Sequence, residues 1–470
     1  MRSIVWFRHN LRLSDNPPLY HASREGPVLP VYIWDPSLDT LPDGARKWWL
    51  AGSLRALNGQ LETHGLTLVL LRGPSEEILF RLARDLQIGA VHAAPGRTPE
   101  ERRLDLKVSR ILSGAGVPFL TESTDYLIAP EFVPEGRSGP WKVFTPFWRF
   151  CRSRLSPDSP LPAPAKIDKV PGPRGEKLED WGWDPPVPDW AQTMRRTWRP
   201  GEAAALERLE LFVAETLAGY GRRREFPAED GTSKLSPHLA QGEISPRQIW
   251  RKVTESKALE KDREKFLEEL GWREFAAHLL RHNPEMLESP LRKIFLNYPW
   301  KAEGRGFELW KRGMTGFPLV DAGMRELRLT GGMPNRVRMV AASFLVKNLG
   351  ISWRSGAAWF AENLVDYDPA SNAASWQWVA GCGTDSAPFF RIFNPVLQGE
   401  RYDPRGEYVR KFVPELARIP DRYLHRPWMI SGGSGNCPGD FSSSYPDPFV
   451  DLKTSRIAAL QAFRRLSTPG

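Results

Sequence analysis

Residues 28–35 read VLPVYIWD, and this stretch decides how the first third of the chain folds. It is too short for an ordinary helix, is rich in β-branched and aliphatic residues, and is apolar on both of its faces. That is the pattern of a strand covered from both sides, as in a parallel sheet. SIVWF at 3–7, LTLVLLRG at 66–73 and AVHAAP at 90–95 share it. Helical patterns run between these strands. Trp49, Leu50, Leu54, Leu57 and Leu61 recur at helical spacing within 43–62, and Gly65 stops the run. PSEEILFRLARDLQIG forms a second helix, and TPEERRLDL opens a third. In the third, Thr98 is the N-cap, Pro99 takes the first helical position and Glu101 completes a capping box. Strand–helix–strand repetition forces right-handed crossovers, so an α/β domain with a Rossmann-like parallel sheet is predicted. It carries neither a GxGxxG nor a Walker loop.

With 470 residues the chain exceeds what one hydrophobic core fills. The stretch 156–200 holds ten of the 43 prolines and reads as an extended connector running over the surface. Beyond residue 200 the periodicity is helical almost throughout, and Gly-rich 431–444 reads as a loop. The predicted organisation is an α/β domain over 1–130, a connector over 131–200 and an all-α domain over 201–470.

Composition narrows the function classes. The 65 basic and 56 acidic residues leave a net charge of +9, which favours a polyanionic partner, nucleic acid ahead of membrane, and equally serves plain solubility. The 19 Trp against 10 Tyr are unusual, although a large core hides indoles readily. Cys151, Cys382 and Cys437 are widely spaced, which predicts free thiols in a reducing compartment with no disulfide framework and no metal site. The opening residues turn charged too soon for a signal peptide and no apolar run approaches a membrane span, so a cytoplasmic location is expected.

Four stretches of the second half carry chemistry. After Gly231, Thr232, Ser233 and Ser236 cluster at a helix start, which reads either as an anion site for a phosphate or as an N-cap. Asp368-Pro369 predicts a helix over about 369–380. On it Asn372 and Trp376 share a face while Trp378 points elsewhere, either toward ligands or into a core. In EELGWREF (268–275) Glu269 and Trp272 are co-facial, a carboxylate beside an aromatic plate. In PNRVRM (334–339) Asn335 and Met339 share a face flanked by Arg336 and Arg338.

VWFRHNLRLSDNPPL, YGRRREFPAEDGTSKLSPHLAQGEISPRQ, GWREF, MTGFPLVDAGMREL, PNRVRMVAASFLVKNLGISWR, SNAASWQWVAGCGTDSAPFFRIFNP and YPDPFVDLKTSR, in this order, resemble the photolyase/cryptochrome family. The likeness is greatest to class I DNA photolyases acting on cyclobutane pyrimidine dimers. It implies an antenna-type α/β domain and an all-helical domain binding a folded FAD. By this resemblance Tyr220, Thr232, Ser233, Lys234, Leu235, Ser236, Phe266, Asn335, Arg338, Asp366, Asp368 and Asn372 bind the cofactor. Arg338 and Asp366 would pair against the flavin, and Asn372 would face its N5. Trp376, Trp353 and Trp300 correspond to the family's electron-relaying tryptophans. Trp272 and Trp378 correspond to the wedge around the extruded lesion, with Glu269 bonded to the pyrimidine edge and Met339 lining the cavity. Arg224, Arg336, Arg391 and Gln398 would contact DNA, together with Glu269, Trp272, Arg273, Asn335 and Trp378.

Within the family, four features point to the cyclobutane dimer. Asn372 is an amide where plant-type cryptochromes place an Asp, and Trp378 stands where they have Tyr. Asn335 and Met339 occupy the places of the His pair in enzymes for (6-4) photoproducts, and no long signalling tail is present. The implied activity is light-dependent splitting of the dimer by an electron from photoexcited reduced FAD. The alternative is a blue-light photoreceptor without repair. A monomer acting on dimer-containing DNA, away from membranes, is expected. Ala373, Ala374 and Ser375 depart from the Asn or Gly residues of relatives, and His9 and Asn10 from a more usual acid. A second antenna chromophore, deazaflavin or folate, would lie by helix 43–62 and the TPEERRLD helix.

Overall fold

The computed structural model describes residues 1–38, 44–123, 125–136, 139–155, 157–185, 189–386, 388–431 and 445–467. The chain divides into two compact units, one of Met1–Ala218, Ser233–Pro284 and Val365–Ala370, the other of Gly219–Thr232, Glu285–Leu364 and Ser371–Gly470.

The first unit is built on a five-stranded parallel sheet in the order β3-β2-β1-β4-β5. Its strands are β1 (Ser3–Phe7), β2 (Val28–Trp34), β3 (Val69–Arg72), β4 (Ala90–Ala93) and β5 (Phe119–Thr121). The crossovers are α1 (Pro17–Glu25), α2 (Ala45–Glu62), α3 (Ser75–Asp85) and α4 (Pro99–Gly114). Alternation along β1 separates two cores. Val5 and Phe7 join Leu19 of α1 and Leu50, Leu54 and Leu61 of α2. Ile4 and Trp6 join Leu79 and Leu82 of α3 and Val108 and Leu112 of α4. A period-2 strand with both sets buried demands helices on both faces. The Thr98–Glu101 capping box forms as the spacing predicts. Strand β5 has no counterpart in the sequence reading, being only three residues at a sheet edge.

The proline-rich stretch departs from the extended surface connector. Val28 N–H donates to Asp168 O (2.7 Å) and Val170 N–H to Val28 O (3.0 Å), so the stretch pairs with the start of β2. Ile167, Leu178, Trp181 and Trp183 enter the α1–α2 core. Trp181 and Trp183 close on Trp34 with ring centroids 5.4 and 5.1 Å apart. Apolar burial, not proline geometry, sets the path of this segment.

The second unit is helical, with Arg305–Arg312, Pro318–Thr330, Asn335–Ser343, Trp353–Asn363, Pro395–Tyr402, Glu407–Phe412 and Leu452–Ser467 among its elements. Helix Pro369–Ala380 contributes all but its first two residues to it. No helix among the described residues is long and apolar enough to cross a membrane. Cys151 and Cys382 are free and buried, and burial pushes each thiol up to about 12. Cys437 and most of the 431–444 stretch lie outside the described residues.

Candidate functional site

The hydroxyl-rich turn is set by a buried hub in the first unit. The Glu243 carboxylate, fully buried, accepts from Ser53 Oγ (2.6 Å), Gly201 N–H (2.7 Å) and Trp49 Nε1 (3.2 Å), and pairs with His238. Gly242 (φ +67°) packs so tightly that a Cβ there would stand 1.7 Å from His9 O, so no other residue fits. Held this way, the six-residue helix Ser236–Gln241 follows a turn in which Lys234 takes φ +53°, uncommon for a non-glycine residue. Ser233 Oγ accepts from Leu235 N–H (3.3 Å). Ser236 Oγ donates to Asp366 (2.7 Å), drawing the Val365–Ala370 segment to this turn. Beside it the Arg46 guanidinium lies 5.2 Å from the Tyr367 ring, and burial holds its pKa below the ordinary value against Tyr367 and Asp368.

Helix Glu260–His282 carries Phe266, Glu269, Trp272 and Arg273. Phe266 is buried against Phe212 (4.5 Å). Glu269 is half-buried, 3.6 Å from Lys265 Nζ. Trp272 is half-exposed and stacks on Phe144. Arg273 donates to Asp125 O and lies 4.9 Å from the Tyr126 ring.

In the second unit, Asn335 is exposed on the first turn of its helix with Nδ2 3.9 Å from Met339 Sδ, so the predicted shared face exists. Arg338 Nε donates to Met333 O (2.7 Å). Arg336 is held by Glu225 and stacks 4.5 Å from the Tyr402 ring, while Arg224 lies 5.4 Å from the buried Tyr220 ring. Arg391 is exposed and Gln398 half-buried. On helix Pro369–Ala380, Asn372 Nδ2 donates to Ala357 O (3.1 Å). Trp376 is buried, its ring 4.9 Å from Phe360 and 6.3 Å from Trp310. Trp378 is half-buried, so the two indoles do face different surroundings. Between them Gln377 is fully buried, donating to Met286 O (2.8 Å) and Ser289 O (3.0 Å) and accepting from Leu291 N–H (2.8 Å). Trp353 is buried and starts its helix, and Trp300 is half-buried, its ring 4.3 Å from Tyr298.

A separate cleft of about 330 Å³ opens in the first unit at the carboxyl ends of β4 and β5, beside the N-terminus of α4. Such strand ends are where open α/β sheets take ligands. Arg97 and Asp125 form its buried ion pair (2.8 Å), and Arg102 and Arg281 bring like charges to its wall. Burial first, then Arg281, lowers the Arg102 pKa. Asp105 and Glu131 line the same cleft, so its wall carries charges of both signs.

Residues 3–165 match the family described as DNA photolyase, and residues 266–465 match the FAD binding domain of DNA photolyase. A deoxyribodipyrimidine photo-lyase of Agrobacterium fabrum is 44% identical, over 98% of this chain and 97% of its own length. The chain belongs to the photolyase/cryptochrome family. Among solved structures of this family, the class III photolyase from Agrobacterium tumefaciens is 43% identical with a TM-score of 0.94, covering 99% of this chain and 98% of its own. The archaeal photolyase from Sulfolobus tokodaii, solved with two FAD molecules, is 29% identical with a TM-score of 0.83, covering 99% and 100%.

The hydroxyls of Ser233 and Ser236 at the start of a helix are of the chemistry that suits the pyrophosphate of an FAD. The Asn372–Ala357 bond leaves the amide oxygen as an acceptor. Three residues escaped the sequence reading: Gln377, which anchors the indole-bearing helix, Glu225, which holds Arg336, and Phe144, which backs Trp272. None lies in a periodicity shared with its partner, so only contact reveals them. Among the described residues no group of His, Cys, Asp and Glu is arranged to hold a metal.

Proposed function

We propose that this protein is a light-dependent DNA repair enzyme, a deoxyribodipyrimidine photo-lyase that splits cyclobutane pyrimidine dimers. The observation carrying this reading is helix Pro369–Ala380, which presents an acceptor-oriented Asn372, a buried Trp376 and a half-exposed Trp378 within seven residues. Within the family the 43% identity favours class III over the class I expected from the motifs.

Bound reduced FAD supplies the photoexcited electron that opens the cyclobutane ring and takes it back afterwards. Tyr220, Thr232, Ser233, Lys234, Leu235 and Ser236 hold the pyrophosphate. Phe266, Asn335, Arg338, Asp366, Asp368 and Asn372 hold the remainder, Arg338 and Asp366 as a pair. Trp272 and Trp378 stack on the flipped pyrimidines, recovering part of the unstacking cost of a few kcal/mol. Glu269 accepts from the pyrimidine edge, and Met339 fills the space beside it. Arg224, Arg336, Arg391 and Gln398 grip the backbone without sequence preference. Trp376, Trp353 and Trp300 relay charge outward. The cleft lined by Arg102 and Arg281 takes the second chromophore. The enzyme acts as a cytoplasmic monomer, with the antenna role in the α/β domain over 1–130 and cofactor and DNA binding within 201–470.

The test is direct. The reduced protein is mixed with an oligonucleotide carrying one thymine dimer, and blue light is compared with darkness by chromatography. Repaired thymines in light alone are expected. With FAD bound and reduced, absence of repair would replace this reading with that of a photoreceptor.

A further inference from the structure

We infer that Phe144 is a positioning residue for lesion recognition, acting through Trp272. The inference rests on the reading of Trp272 as a plate for the flipped pyrimidines. The Phe144 and Trp272 rings lie 3.8 Å apart at an interplanar angle of 10°. Trp148 continues the stack, 6.3 Å from Phe144 at 11°. Phe144 and Trp148 are buried, whereas Trp272 is half-exposed. One face of the Trp272 indole is therefore occupied, and a base can stack only on the other.

Gly271, the residue before Trp272, makes this stack possible. A Cβ there would stand 2.6 Å from ring carbons of Trp148, so any side chain would force Trp148 off the helix. Phe275 meets the Trp272 edge at 5.9 Å and 74°, which limits rotation of the indole in its plane. Helix Phe144–Arg154 is tied again to helix Glu260–His282 by Arg152–Glu264 (2.5 Å). The arrangement is a rigid shelf beneath one ring.

A partly exposed Trp on a helix otherwise samples several rotamers, and immobilising it on binding opposes affinity. Phe144 removes that freedom beforehand. Ordering a side chain on binding costs about 0.5–1.5 kcal/mol, so loss of this support should weaken dimer binding about 2- to 12-fold. Binding of undamaged DNA, which places no base on Trp272, should not change.

The test titrates the holoenzyme with two labelled duplexes, one carrying a single thymine dimer and one undamaged, by fluorescence anisotropy. Phe144→Leu keeps the core filled without a flat face, and Phe144→Tyr restores the face. Melting temperature and FAD content confirm folding, and Phe144→Met stands in should the leucine variant not fold. Phe144→Leu is expected to lose about 2- to 12-fold in dimer affinity alone, Phe144→Tyr to recover it. Combined with Trp272→Ala, Phe144→Leu should have no further effect. Unchanged discrimination in Phe144→Leu, or additive losses in the double variant, would overturn the inference and leave the role of Trp272 standing. Unchanged discrimination in Trp272→Ala would instead overturn the reading on which it rests.

Discussion

Asn372 Nδ2 donates to the carbonyl oxygen of Ala357 at 3.1 Å, and this bond orients the amide so that its oxygen is left as an acceptor. An ionised carboxylate in the same place would set oxygen against oxygen. Asn372→Asp should therefore carry a carboxyl with a raised pKa and offer the flavin either a competing proton or a repelling charge. Potentiometric titration of the FAD-loaded variant should show the midpoint potential lowered by on the order of 30 mV, about 1.4 kcal/mol for a two-electron couple. An unchanged potential would place residue 372 away from the redox-active ring.

Gly356 leaves room for Trp376. A Cβ at 356 would stand 2.1 Å from one Trp376 ring atom and 2.7 Å from Leu345. Gly356→Ala should then lose about 1–3 kcal/mol by overpacking and shift the indole. If Trp376 relays electrons, photoreduction of oxidised FAD slows while repair by chemically reduced enzyme persists. Denaturant titration and the photoreduction rate check both halves.

Arg336 gives Glu225 two nitrogens, Nε at 2.8 Å, and stacks on Tyr402. As a phosphate contact it should contribute equally to damaged and undamaged DNA. Arg336→Ala is expected to weaken both and to reduce the slope of log affinity against log salt by about 1. Glu225→Gln should keep that slope and raise affinity for undamaged DNA by no more than about fivefold, the scale of a partly exposed ion pair. A slope unchanged in Arg336→Ala would remove this arginine from the interface.

Lys347 is buried on the Phe389 ring, its Nζ 3.2 Å from the centroid and donating to Phe389 O (3.2 Å). Burial pushes its pKa down to about 7. The unfolded chain keeps this proton up to about pH 10.4, so between the two values the unfolded state binds the extra proton. This group's contribution to stability therefore rises with pH from about 7 to 10 and is flat below. Lys347→Met should abolish that rise, a difference on the order of a few kcal/mol across the window. Urea unfolding of both proteins at pH 7 and 9.5 measures it, and parallel pH profiles would show that the amine titrates normally.

The features decided by short-range physics were legible beforehand. Two-sided burial of β1 follows from an apolar residue at every position after Ser3. The Thr98–Glu101 box needs only a hydroxyl and a carboxylate three residues apart. Asn335 and Met339, four residues apart on a helix, meet as the 3.6-residue period requires. Strand β5 was not legible, because three residues at an edge carry too little pattern. The connector was misread since proline content reports backbone preference, whereas Trp181 and Trp183 answer to Trp34 on a distant strand.

By itself, then, the sequence determined the parallel sheet and the helical second half, because each depends on neighbours within a turn or a strand. Only the tertiary structure decided which way particular side chains are set. The amide of Asn372 is turned by Ala357, the Arg336 guanidinium is held by Glu225, and one face of Trp272 is closed by Phe144. Such contacts join residues far apart in the chain, and no periodicity encodes them; close packing and the need to pair buried polar groups do.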